Sequence, residues 1–204
     1  MQIAHELFLH ELSDMLDAEQ QILEALEKQK DESSNSTLQS AFQAHRKQTE
    51  GQVERLQQCF ELIGEEAEEA ECAGINGLRE EHDSMTEQDP SPDILDVFNV
   101  AAAIKVERYE ISAYESLIRL AKSMDQTKIV RLLNQNLKEE EQTLKKMQTL
   151  AMKIKPQRLE AAEDEQGEES GNEGSAESDS ALQNEHRPGP RIVKKGGSHK
   201  RKVA

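Results

Sequence analysis

Glu107 and Glu110 lie three residues apart in FNVAAAIKVERYEISAY, residues 98–114, an alanine-rich and apolar stretch of a chain otherwise crowded with charge. On a helix this spacing puts both carboxylates on one face. Tyr109 and Tyr114, the only two tyrosines of the protein, sit beside them. Carboxylates in an apolar face can share protons and hydrogen bonds in a neutral layer, or they can ligate a metal. Three other stretches raise the same question. Met15, Ile22 and Leu26 share a face that Glu19 interrupts. Leu133, Leu137, Leu144 and Met147 bracket Glu140. The series 38, 42, 45, 49, 52, 56, 59, 63 keeps one face, apolar at its ends and polar in the middle at His45, Thr49 and Gln52.

A buried carboxylate without compensation costs several kcal/mol. Protons can neutralise it, Lys or Arg can pair with it, or a metal can bind it. Carboxylate oxygen and imidazole together suit iron, manganese or zinc. The candidate ligands are therefore Glu19, Glu107, Glu110 and Glu140, with His45 as a fifth. The competing reading is a hydrogen-bonded polar layer of protonated glutamates with His45, Thr49, Gln52 and Tyr114.

Four long helices must position these groups. The first covers about 2–30, with Phe8, Leu12, Met15, Leu16, Ile22, Leu23 and Leu26 inward, and DESSNS breaks it. The second covers about 36–63, capped by Asn35 or Ser36 and ended by Gly64. The third starts at Pro92 after DPSP and runs to about 124. The fourth runs from about 126 to 154, with Ile129, Leu133, Leu137, Leu144, Met147 and Ile154 inward, and Pro156 stops it. The inward spacings alternate three and four, as for a helix face against a bundle. Short loops make each pair of helices an antiparallel hairpin. The 28 residues between the pairs, 64–91, are long enough to run from one end of a bundle to the other, with a short helix over about 75–88. Two hairpins and one long crossover make an all-α, ferritin-like four-helix bundle. The helix midpoints, near 16, 50, 108 and 140, bring Glu19, Thr49, Glu107 and Glu140 to one level.

Composition agrees with long amphipathic helices around a thin aliphatic core: 32% of the 204 residues are charged, 3% are aromatic, none is tryptophan and the net charge is −16. The acidic balance argues against non-specific nucleic-acid binding by the body of the protein. The bundle is assigned to 1–155 and a disordered tail to 156–204, acidic over 160–185 and basic over 186–204. The basic end could touch nucleic acid or another polyanion, or only solvate the chain. Cys59 and Cys72 are too few for a disulfide framework and lack zinc spacing, so both are read as free thiols. His5, His10 and His82 are read as solvated. No signal peptide and no membrane span is visible, which places the protein in the cytoplasm. No nucleophile–His–Asp set, phosphate loop or dinucleotide fingerprint is present.

Four segments carry a family resemblance: LFLHELSDMLDAEQQILEAL, HRKQTEGQVERL, AAAIKVERYEISAYESLIRLA and LKEEEQTLKKMQTLA, together with CAGINGL in the crossover. Over about residues 4–152 the chain resembles the YciE/YciF-type stress proteins of the ferritin-like superfamily. The resemblance implies a ferritin-like bundle, often dimeric, linked with bacterial stress responses. It carries over the acidic positions Glu19, Glu107, Glu110 and Glu140. The second helix departs from the pattern: the family usually reads His-x-Glu-Glu-Thr, and this chain reads His45-Arg46-Lys47-Gln48-Thr49. The leading expectation is a stress-associated structural or protective homodimer without catalytic activity. The alternative is a di-iron-type carboxylate oxidase or metal-handling protein using iron or manganese.

Overall fold

The computed structural model describes residues 3–155. The expected tail, with its acidic and basic halves and its polyanion-binding reading, lies outside the described residues. Five helices follow in order: α1 Ala4–Glu32, α2 Ser36–Ile63, α3 Ala73–Thr86, α4 Pro92–Ser123 and α5 Thr127–Ala151. α1, α2, α4 and α5 are the four long helices of the bundle. Among the described residues no helix is long and apolar enough to cross a membrane.

Local chemistry sets the boundaries. The Asn35 side chain accepts from the backbone N–H groups of Thr37 and Leu38, satisfying two donors that the first turn of α2 leaves free. Gly64 ends the same helix at φ 81°, the left-handed conformation that glycine adopts without a Cβ penalty. Pro92 opens α4, where its missing N–H costs nothing. Asn35→Ala should lower stability by about 1 kcal/mol with the fold intact, as denaturant unfolding would show.

Side-chain pairs fix the topology. Gln48 meets Thr143, Gln52 meets Glu140 and Arg55 meets Asn136, so α2 and α5 are antiparallel. Ser33 meets Asn99 and Glu19 meets Tyr114, so α1 and α4 are antiparallel as well. The backbone N–H and hydroxyl of Ser34 both donate to the buried Asp96 carboxylate, which pins the end of α1 to the start of α4. α2 ends beside the start of α1, so the crossover travels the length of the bundle before α4 can begin. This is the ferritin-like connection. α3 lies within that crossover and packs against α1 and α4.

The core has three levels. At one end Phe8, Leu12, Leu56, Leu117, Ile129 and Leu133 are buried. At the other, Leu26, Leu38, Phe42, Val100 and Met147 are buried. Between these apolar blocks lies a polar level of Glu19, His45, Thr49, Gln52, Glu107, Glu110, Asn136, Glu140 and Thr143, all buried. The inward face of α5 is Ile129, Leu133, Asn136, Glu140, Thr143 and Met147, while Leu137 and Leu144 are half-buried. His82 departs from the solvated reading. It is buried, its Nε2 lies 2.7 Å from Asn99 Oδ1, and its ring sits tilted against that of Phe98 with centroids 5.6 Å apart. α3 carries it and buries it by packing against α1 and α4.

Candidate metal centre

Each long helix delivers side chains to the polar level because its apolar stripe is interrupted by polar residues where the four helices share a height. α4 brings Glu107 and Glu110, α5 brings Glu140, α2 brings His45 and α1 brings Glu19. One ligand atom from each of His45, Glu107, Glu110 and Glu140 lies within 4.8 Å of all the others. His45 Nε2 stands 3.3 Å from Glu107 Oε1 and 4.0 Å from Glu140 Oε2. Glu19 flanks this quartet. Its Oε1 accepts from the Tyr114 hydroxyl, and its carboxyl neighbours that of Glu110. Glu50 takes no part; it is exposed and pairs with Arg46.

One side of the level is largely hydrogen-bonded, with the Gln52 carbonyl oxygen and the Thr49 hydroxyl the exceptions. Asn136 Nδ2 donates to the Tyr114 hydroxyl at 2.8 Å, and Arg55 donates to both Asn136 and Glu139. Gln52 donates to Glu140. The other side is not. Both oxygens of Glu107 and Glu110, one each of Glu19 and Glu140, and both ring nitrogens of His45 are buried with no hydrogen-bond partner. Two carboxylates have no donor between them, so the Glu19–Glu110 and Glu107–Glu140 contacts become hydrogen bonds only when a member of each pair carries a proton.

Burial is the largest influence on every group here. It pushes Glu19, Glu107 and Glu110 well above the usual carboxylate range, and the neighbouring Glu140 pushes each further. Burial raises Glu140 to about 7, partly opposed by hydrogen bonds from Glu107 and Gln52. His45 falls to about 4, through burial and the positive Lys146. At neutral pH and without a metal, the level is therefore a set of largely protonated carboxyls around a neutral imidazole. Tyr114→Phe would remove the donor to Glu19 and the acceptor for Asn136. It should cost about 1–3 kcal/mol of stability, read by chemical denaturation.

The donor set suits a metal. Four carboxylates carry a charge of −4 when ionised, and among the described residues none of them is ion-paired with a Lys or Arg; Arg55 is engaged by Glu139 and Asn136. Unpaired oxygens and a neutral imidazole in one buried cluster fit iron or manganese. Asn136, Thr143 and Arg55 were not foreseen from the sequence. Stepping by three and four from Glu140 would have found the first two. No sequence signal marks Arg55.

The two tyrosines play different parts. Tyr114 is fully buried in the polar level. Tyr109 lies outside it, with its hydroxyl 3.0 Å from Cys72 Sγ and 3.3 Å from Asp14. Cys72 is a buried free thiol whose pKa burial raises, which leaves it little thiolate character.

Comparison with known proteins follows the same lines. Escherichia coli YciF is 37% identical over 153 residues, covering 74% of this chain and 92% of YciF. The crystal structure of that stress protein superposes with a TM-score of 0.72, covering 96% of its chain. YcfI of Rhodopseudomonas palustris, for which a structural role has been suggested, superposes with a TM-score of 0.70 at 37% identity, covering 72% of this chain and 94% of its own. A Xanthomonas campestris protein at 16% identity and a TM-score of 0.61, covering 80% of this chain and 99% of its own, shares the fold. Residues 3–160 match the family described as a domain of unknown function (DUF892). The chain belongs to that family, as a ferritin-like bundle of the YciF type.

Proposed function

We propose that this is a stress-associated protective protein that acts by holding a transition metal, iron or manganese, in the middle of its bundle. The observation that carries this reading is the quartet His45, Glu107, Glu110 and Glu140, with ligand atoms mutually within 4.8 Å and most of their polar atoms unpartnered. Glu19 supplies a further oxygen at the edge. Charge balance allows up to two divalent ions against four carboxylates. Iron bound there would supply one-electron chemistry toward dioxygen or peroxide. The chain's own contribution is to supply the ligands, keep His45 neutral and exclude bulk water with the two apolar blocks.

The hydrogen-bonded side of the level favours a second reading, in which the layer holds no metal and fixes helix register. Anaerobic titration of the metal-stripped full chain with Fe(II), and separately with Mn(II), separates the two. Saturable stoichiometric uptake supports the metal reading; no stoichiometric uptake of either ion sinks it. A homodimer accompanies both readings. Ile3, Leu7 and Leu62 are exposed at one end of the α1–α2 hairpin, which supports pairing there, and sedimentation equilibrium would check it.

A further inference from the structure

A cavity of about 120 Å³ lies beneath α3, between α1 and α4, and its lining includes His45 of α2. Its wall changes character from the surface inward. At the rim Arg79 pairs with Glu24 at 3.2 Å, Lys28 with Asp83 at 2.6 Å and Lys105 with Glu81 at 2.5 Å. These three acids and three bases leave the rim without net charge. Ile22, Leu26, Leu78, Phe98, Ala102 and Val106 form the apolar wall. His45 and Glu107 also line it, and both carry buried side-chain atoms with no hydrogen-bond partner.

We propose that this cavity is a binding pocket for a small uncharged molecule with an apolar body and one hydrogen-bonding end, of the size and kind of a phenol, seated with its polar end on His45 and Glu107. Size limits the ligand: an apolar cavity of ~150 Å³ in another protein core holds benzene, so little more than one ring fits here. The charged residues of the lining are paired with one another, and inside them the lining adds only Gln29 and His82 to His45 and Glu107 as polar groups, so it offers a charged ligand no unpaired opposite charge and the balanced rim steers neither sign. The unpaired polar atoms at His45 and Glu107 reward a hydroxyl that water, facing mostly apolar wall, occupies poorly. α3 controls access. Its only buried residues are Ile75 and His82, and its rim pairs are exposed, so lifting it costs those two contacts and the His82–Asn99 hydrogen bond while the pairs that join the four long helices stay in place.

This pocket goes beyond metal holding, because it exists in the metal-free protein. The test uses the full chain with a chelator present, titrated with phenol, benzene and benzoate while the methyl signals of Ile22, Leu26, Leu78 and Val106 are followed by NMR. Phenol and benzene are expected to shift those methyls saturably, and benzoate to bind at least about tenfold more weakly. Ala102→Phe, which fills the cavity, should remove phenol binding. Should that variant lose helix content, Leu78→Trp fills the space from α3 without entering the four-helix core. Absence of saturable shifts with phenol, or undiminished phenol affinity in a folded filling variant, overturns the proposal. Phenol binding without Fe(II) or Mn(II) uptake would sink the metal reading alone, and metal uptake without phenol binding would sink the pocket alone.

Discussion

Metal-free protein will lose stability as the pH rises from about 5 to about 8, opposite to the usual acid denaturation of carboxylate-rich proteins. Glu19, Glu107, Glu110 and Glu140 all have raised values in the folded state, against 4.5 for an ordinary glutamate. A carboxyl with a raised folded value stabilises fully below its unfolded value. That contribution is lost as the pH climbs through the folded value. For Glu140 the window runs from 4.5 to about 7, a span corresponding to about 3 kcal/mol. The other three act in the same direction. His45 opposes them. Its depressed value near 4, against 6.5, gives stability that is present above 6.5 and lost as the pH falls toward 4. One histidine against four glutamates leaves the net slope downward with rising pH.

Bound metal reverses this slope, because the ion replaces the protons. Affinity must then rise with pH, and the stabilisation by metal must be largest where the metal-free protein is weakest. Urea unfolding at several pH values, with chelator and with Mn(II), reads both slopes. A metal-free stability that rises from about pH 5 to 8 would contradict the assignment of protonated glutamates to the core.

Most of the frame was visible in the sequence because its signals are local and strong. DPSP, DESSNS and Gly64 place breaks that the structure shows as loops and a left-handed cap. The 28-residue crossover was diagnostic because only a bundle-length connection needs it. Glu19, Glu107, Glu110 and Glu140 were legible for a related reason: a carboxylate interrupting an apolar stripe has no cheap explanation. Asn136 and Thr143 were hidden because Leu137 and Leu144 keep an equally good apolar period one residue away. One residue is about 100° of helix rotation, and only packing against α2 decides which phase faces inward. Arg55 with Glu139, and His82 with Asn99, depend on how separate helices align. No spacing within one helix reports that.

Glu110→Leu should do two opposite things at once. Both Glu110 oxygens are buried and unpartnered, and its neighbours are Glu19, Glu107 and Glu140, all of the same potential charge. Leucine has nearly the same volume and removes both the desolvation penalty and the repulsion. In the metal-free core Glu110 is held protonated at a pH where the unfolded chain would ionise it, and replacing that carboxyl with a packed apolar side chain should stabilise the metal-free protein by about 1–4 kcal/mol. The same change removes a ligand from the quartet, so Mn(II) affinity should fall by more than ~100-fold, beyond the cost of altering an outer-sphere partner. Glu140→Leu should lose metal in the same way but gain less stability, because it strands the Gln52 amide that donates to Glu140. Exposed Glu50→Leu should change neither quantity much. Calorimetric titration with Mn(II) beside thermal unfolding in chelator measures both effects on the same samples. A structural layer without metal predicts the stabilisation alone, with no saturable binding in the parent protein to lose. Destabilisation by Glu110→Leu would mean that its protonated contact with Glu19 outweighs the cost of holding it in the core. The quartet would then be a satisfied network and not a set of waiting ligands.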